Sequence, residues 1–81
     1  MKFLRLVERD GEKVKRIMWV NVAEIVFVDR IDANAVIMVT ATGNRILFRT
    51  HDFDKQFATF LKGGDGFKSM EVSNLYIDKK G

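Results

Sequence analysis

His51 is the one histidine in this sequence, and Asp52 and Asp54 follow it closely. An imidazole beside carboxylates could act as a general base or a metal ligand, because its unperturbed pKa lies near neutrality. Metal centres recruit three or four ligands at recognisable spacings. Here there is no second histidine and no cysteine to complete such a set. A lone imidazole ahead of a capped helix is more simply a solvent-facing residue. Ser69 and Ser73 have no strand-turn-helix nucleophile motif around them and no histidine nearby in sequence. Gly63-Gly64-Asp65-Gly66 is glycine-rich, but it follows a helical pattern, whereas a phosphate-cradling loop opens one. No catalytic, cofactor-binding or metal-ligating residue is assigned, and the expectation is a chain that is not an enzyme and carries no cofactor.

The basic residues suggest other chemistry. Lys13, Lys15 and Arg16 fall on one strand pattern, and Arg45 and Arg49 share the polar face of another. Lys68, Lys79 and Lys80 lie near the C-terminus. If the first five converge, they form a surface that contacts the phosphates of DNA or RNA. The first functional expectation is therefore a small binding domain with a regulatory nucleic-acid role, using Lys13, Lys15, Arg16, Arg45 and Arg49. The same residues would also serve as solvated strand positions that discourage edge-to-edge aggregation. Trp19 carries the alternative, a protein-interaction or self-assembling module with no nucleic-acid role. Tryptophan is enriched at interface hot spots, although in so small a domain it is as readily a core residue. A short meander also leaves two open edges, through which a homodimer can form.

The elements that must position these residues are organised around positions 25–49. Ile25–Asp29, Ala35–Thr40 and Arg45–Arg49 are short runs rich in Val, Ile and Phe, separated by Asp-, Asn- and Gly-containing turns, and they read as an antiparallel meander. The first two runs are apolar on both faces, which predicts central strands covered on both sides. The third alternates Arg45, Leu47 and Arg49 with Ile46 and Phe48. Before the meander, Lys2–Glu8 and Lys13–Val20 flank an Asp-Gly turn and predict a hairpin. The second of these strands breaks strict alternation, as a bulge would. Asn21 caps a short connector.

After the meander, Phe53, Phe57, Phe60 and Leu61 share one face of a 3.6-residue period, predicting an amphipathic helix at about 51–62. Thr50 is placed to cap its start, and Gly63 and Gly64 to end it in the left-handed conformation. Phe67–Val72 returns to the sheet, with Ser73-Asn74 as a turn into Leu75–Ile77 and Lys79–Gly81 as a polar end. The expected fold is α+β: a mostly antiparallel sheet of four to six short strands with one helix packed on it.

At 81 residues there is room for one small domain, 1–81. Seven Phe supply core volume, and no apolar run approaches the length of a bilayer span. Glu8 and Asp10 interrupt the N-terminal apolar stretch too early for a signal peptide. The absence of cysteine fits a reducing compartment, and a cytoplasmic location with no membrane partner is expected. The net charge of +3 permits an acidic partner without demanding one.

Two family resemblances follow from this layout. From Asn21-Val22-Ala23-Glu24-Ile25 through Thr42-Gly43 and the Phe53–Leu61 helix to Gly66-Phe67, the chain resembles the LytTR-type DNA-binding domains of bacterial response regulators. Ser73 falls where that family has a serine, whereas Ser69 and Glu71 stand at its Arg and His positions. Asn21, Ile25, Val36, Ile37 and Gly43 are also similar to the small flagellar FlbD-like family. The first resemblance implies a DNA-binding regulatory domain.

Overall fold

The computed structural model describes residues 1–79. Its elements are β1 (Lys2–Asp10), β2 (Lys13–Asn21), a 3-10 turn (Val22–Glu24), β3 (Ile25–Arg30), β4 (Ala35–Thr40), β5 (Arg45–Arg49), α1 (Phe53–Lys62) and β6 (Gly66–Asp78). One six-stranded sheet results, in the order β2-β1-β6-β5-β4-β3. Every neighbouring pair is antiparallel except β1 and β6, which run parallel. The α+β fold with one helix is as expected. Of the expected polar end, Lys80 and Gly81 lie outside the described residues.

β6 is the strand that joins the halves. Its first part, Gly66–Val72, pairs with β1, and its second, Ser73–Asp78, pairs with β5. Between them Asn74 adopts φ 53°, the left-handed region. Asparagine tolerates this conformation better than most residues. The extra residue shifts the alternation, so Met70 and Val72 are buried before it and Leu75 after it. Ser73-Asn74 is thus not a hairpin turn, because the strand bulges and carries on to a new neighbour.

The core follows the period-two alternation. Leu4 and Leu6 of β1, Val20 of β2, Val36 and Met38 of β4, Ile46 and Phe48 of β5, and Met70, Val72 and Leu75 of β6 form one buried cluster with Phe53. Both halves of the sheet contribute, so one inner face is shared. The helix lays Phe53, Phe57 and Phe60 against that cluster, with Phe53 stacked on Phe57 at 5.1 Å and edge-on to Phe48 at 6.0 Å.

Several local expectations need correction. β3 is an edge strand rather than a central one, and Val26 and Phe27 are exposed on it. The helix begins at Phe53, and its N-cap is Asp52, left-handed and without a side-chain capping bond. Thr50 is instead buried, and its hydroxyl donates to the Glu71 carbonyl at 2.8 Å. Gly63 closes the helix in an extended conformation, φ −77°, not a left-handed one. The connector is a 3-10 turn, and the Asn21 side chain accepts from the Ala23 N–H at 3.0 Å as a cap should.

Candidate interaction surface

The five basic residues read from sequence occupy three separate places. Lys13 closes the β1–β2 hairpin opposite Asp10, and Lys15 is the extra residue of a bulge in β2. Arg16 faces Glu8, with Nε 3.6 Å from Oε1, and its guanidinium donates to the Leu75 carbonyl. Arg49 ends β5 with Nη1 3.5 Å from Asp32 Oδ2. Arg45 begins β5, opposite Asp78 and Val39. β2 and β5 are separated by two intervening strands, about 14 Å along the sheet. Arg45 and Arg49 are about 13 Å apart along their own strand. The five therefore do not form one patch, and Arg16 and Arg49 already lie within 4 Å of carboxylates.

Arg49 does line an open cleft of about 550 Å³ where β6 bends, together with Arg9, Asn34, His51, Glu71 and Ser73. Arg9 Nε lies 2.8 Å from Glu71 Oε1, so each guanidinium in the cleft has a carboxylate partner. Asp32 accepts the N–H groups of Asn34 and Ala35 at 2.8 and 2.9 Å. Those amides, the Asn34 bond foremost, and the charge of Arg49 hold its carboxyl below the ordinary value of 3.8. His51 is exposed on the rim. Among the described residues, no group of three or more His, Cys, Asp or Glu side chains is placed to hold a metal ion.

A different surface is assembled by pairing register. Paired residues share a face, so Phe3, Arg5, Val7 and Arg9 of β1 lie on the outer face with Trp19 and Ile17 of β2 and with Phe67, Ser69 and Glu71 of β6. The bulge at Lys15 adds Val14 by moving it opposite Arg9. Without the bulge Val14 would share the inner face with Met18 and Val20. Trp19 is 52% exposed and Phe67 60% exposed, and Val14 and Ile17 are exposed beside them. Among the described residues no element covers this face, since the helix packs on the inner one.

The rings form an ordered cluster. Trp19 meets Phe3 edge-on at 6.4 Å and Phe67 at 5.3 Å, with interplanar angles of 78° and 61°. The Arg5 guanidinium lies over the indole, 5.8 Å from its centroid, and Nη1 donates to Ser69 Oγ at 2.8 Å. Such cation–π and edge-to-face contacts fix side-chain positions at a surface.

Of this surface, the sequence pointed to Trp19 alone. Phe3, Arg5 and Phe67 were legible as faces of their own strands, but placing them together requires the parallel β1–β6 pairing, which no local signal announces. No family model, curated protein or solved structure matches this chain. Among the described residues no helix is long and apolar enough to cross a membrane.

Proposed function

We propose that this chain is a non-enzymatic interaction module that binds a protein partner on the outer face of β2, β1 and β6. The observation that carries this reading is the exposed pair Trp19 and Phe67 clustered with half-buried Phe3, extended by Ile17 and Val14. Contiguous apolar surface rimmed by polar groups marks interaction sites on soluble proteins. Trp and Arg are the side chains most often responsible for binding energy there. The rings are already held by one another and by Arg5, so little side-chain entropy remains to be lost on docking.

A regulatory nucleic-acid role is the second reading. It is favoured by Lys13, Lys15 and Arg45, which have no carboxylate within 4 Å among the described residues, and by the LytTR-like layout. The two differ in what they require. Phosphate contacts weaken steeply as salt rises, whereas an apolar contact persists.

Selection of random dodecapeptides displayed on phage tests the proposal, with Trp19→Ser as the counter-target. Peptides that need Trp19 and stay bound in high salt are the expected result. If every enriched peptide binds Trp19→Ser equally well, the surface is not the binding site. A salt-sensitive complex with duplex or single-stranded DNA, seen by light scattering and absent in Lys13→Gln/Lys15→Gln/Arg45→Gln, would transfer the assignment to the second reading. A salt-insensitive dimer that persists in Trp19→Ser would move it to the β2 or β3 edge.

A further inference from the structure

The environment of Arg5 points to the chemistry of the partner. Its guanidinium emerges in the middle of the outer face, with Trp19 on one side, Ser69 on the other, and Phe3 and Val7 before and after it on the same strand. It meets the indole face and a single hydroxyl, with no carboxylate within 4 Å among the described residues. A guanidinium presents five N–H donors in a planar fork. One donor reaches Ser69, and the side chain is half-buried against the indole.

Any partner that covers Trp19 and Phe67 must also strip water from Arg5. Removing a charge from water is costly unless an opposite charge replaces the solvent. A partner that is merely apolar would therefore lose much of what it gains on the rings. One that sets a carboxylate against Arg5 makes a fork-to-carboxylate pair in a setting where such bonds are strong. We infer that the outer face recognises an acidic, apolar protein segment whose Asp or Glu pairs with Arg5 while its apolar neighbours pack on Trp19, Phe67 and Ile17. This rests on the protein-binding reading above and names its partner class.

The same feature argues against two other occupants. A second copy meeting this face with the two-fold axis at Arg5, its centre, would bring Arg5 near its own counterpart, a like-charge contact in an apolar setting. A nucleic acid would supply phosphates, but its bases need flat, accessible ring faces on which to stack. Here the indole face carries Arg5, Trp19 stands edge-on to both Phe3 and Phe67, and the surface continues into Ile17 and Val14.

The peptides enriched in a Trp19-dependent way provide the probes. Each is resynthesised and titrated against the full chain with the fluorescence of Trp19, the one tryptophan present. Enriched peptides are expected to hold Asp or Glu among apolar residues. Changing that acid to its amide should weaken binding about tenfold or more, and Arg5→Gln should do the same. In Arg5→Gln the acid and amide peptides should bind alike, because the pair is already broken. Circular dichroism of Arg5→Gln checks that the fold is retained, and Arg5→Lys should recover part of the binding. Trp19-dependent peptides that lack an acid, or that ignore Arg5→Gln, would overturn the acidic-partner inference and leave the protein-binding reading standing. Failure to enrich any Trp19-dependent peptide would remove both. An oligo-dT strand that displaces the peptides at the same site would overturn the choice of a protein partner.

Discussion

Glu8 shows how one side chain can stand in for a missing strand. It is buried, and its Oε2 accepts the Leu75 N–H at 3.0 Å while Arg16, beside it, donates to the Leu75 carbonyl. Leu75 follows the bulge, where β6 has left the β1 ladder, so its peptide groups would otherwise lack partners on that side. Arg16 thus has a structural contact at the position where the sequence suggested a phosphate contact. Glu8→Ala leaves a buried donor unsatisfied and should cost about 1–3 kcal/mol in urea denaturation. Arg16→Ala should lower the same midpoint, and it should leave any binding to nucleic acid unchanged. Asp32 makes a separate prediction. Its carboxyl is held below the ordinary value of 3.8, first by the Asn34 amide and further by the Ala35 amide and Arg49. The stability linked to it is therefore fully present above that ordinary value and is lost as pH falls through the lowered pKa. An NMR titration should place the Asp32 midpoint under 3.8, and Arg49→Gln should restore only part of the shift because the amide bonds remain.

At the scale of elements, what the sequence disclosed and what it hid divide along locality. The β4 and β5 boundaries, the 3-10 turn with its Asn21 cap, and the helix face at Phe53, Phe57 and Phe60 follow from patterns within a dozen residues, and the structure has them, although Leu61, expected on the same face, is exposed. β3 looked central because both its faces are apolar. It lies at an edge because β4 and β5 follow it in a simple meander while β6 adds beyond β5. Thr50 and Ser73-Asn74 had the composition of a cap and a turn, but tertiary pairing used them otherwise. The Thr50 hydroxyl serves the Glu71 carbonyl, and Asn74 absorbs the bulge. The candidate surface was hidden for the same reason, since its three rings lie on β1, β2 and β6 and meet only through a pairing 64 residues apart, Phe3 with Phe67. The Asn74 conformation is testable. Asn74→Gly should be tolerated or mildly stabilising, whereas Asn74→Val should cost about 1–2 kcal/mol in the same denaturation assay, because a β-branched side chain is crowded at positive φ.

At the scale of the molecule, two local units flank one late strand. The β1–β2 hairpin and the β3–β4–β5 meander each pair only with sequence neighbours, and β6 alone hydrogen-bonds to both. The shared core follows the same plan, with Leu4 and Leu6 from one unit, Met38, Ile46 and Phe48 from the other, and Met70, Val72 and Leu75 between them. On the outer side this division leaves the aromatic face on one unit with β6 and the carboxylate-paired cleft at the bend. The proposed partner on the aromatic face would touch β6 through Phe67 and would therefore depend on β6 being docked on β1.

The parallel pairing of β1 with β6 also sets the order in which the molecule can be made. A chain emerging from the ribosome can form the hairpin and the meander as each is completed, but the two are not joined into one sheet until Gly66–Asp78 has been synthesised. Closing so long a loop costs entropy before the contacts that offset it exist. Folding dominated by distant strand pairings is slow, on the order of milliseconds to seconds. During that interval Leu4 and Leu6 of the hairpin are kept from the core they share with Met38 and Phe48, so the docking of β6 acts as the timing step of assembly.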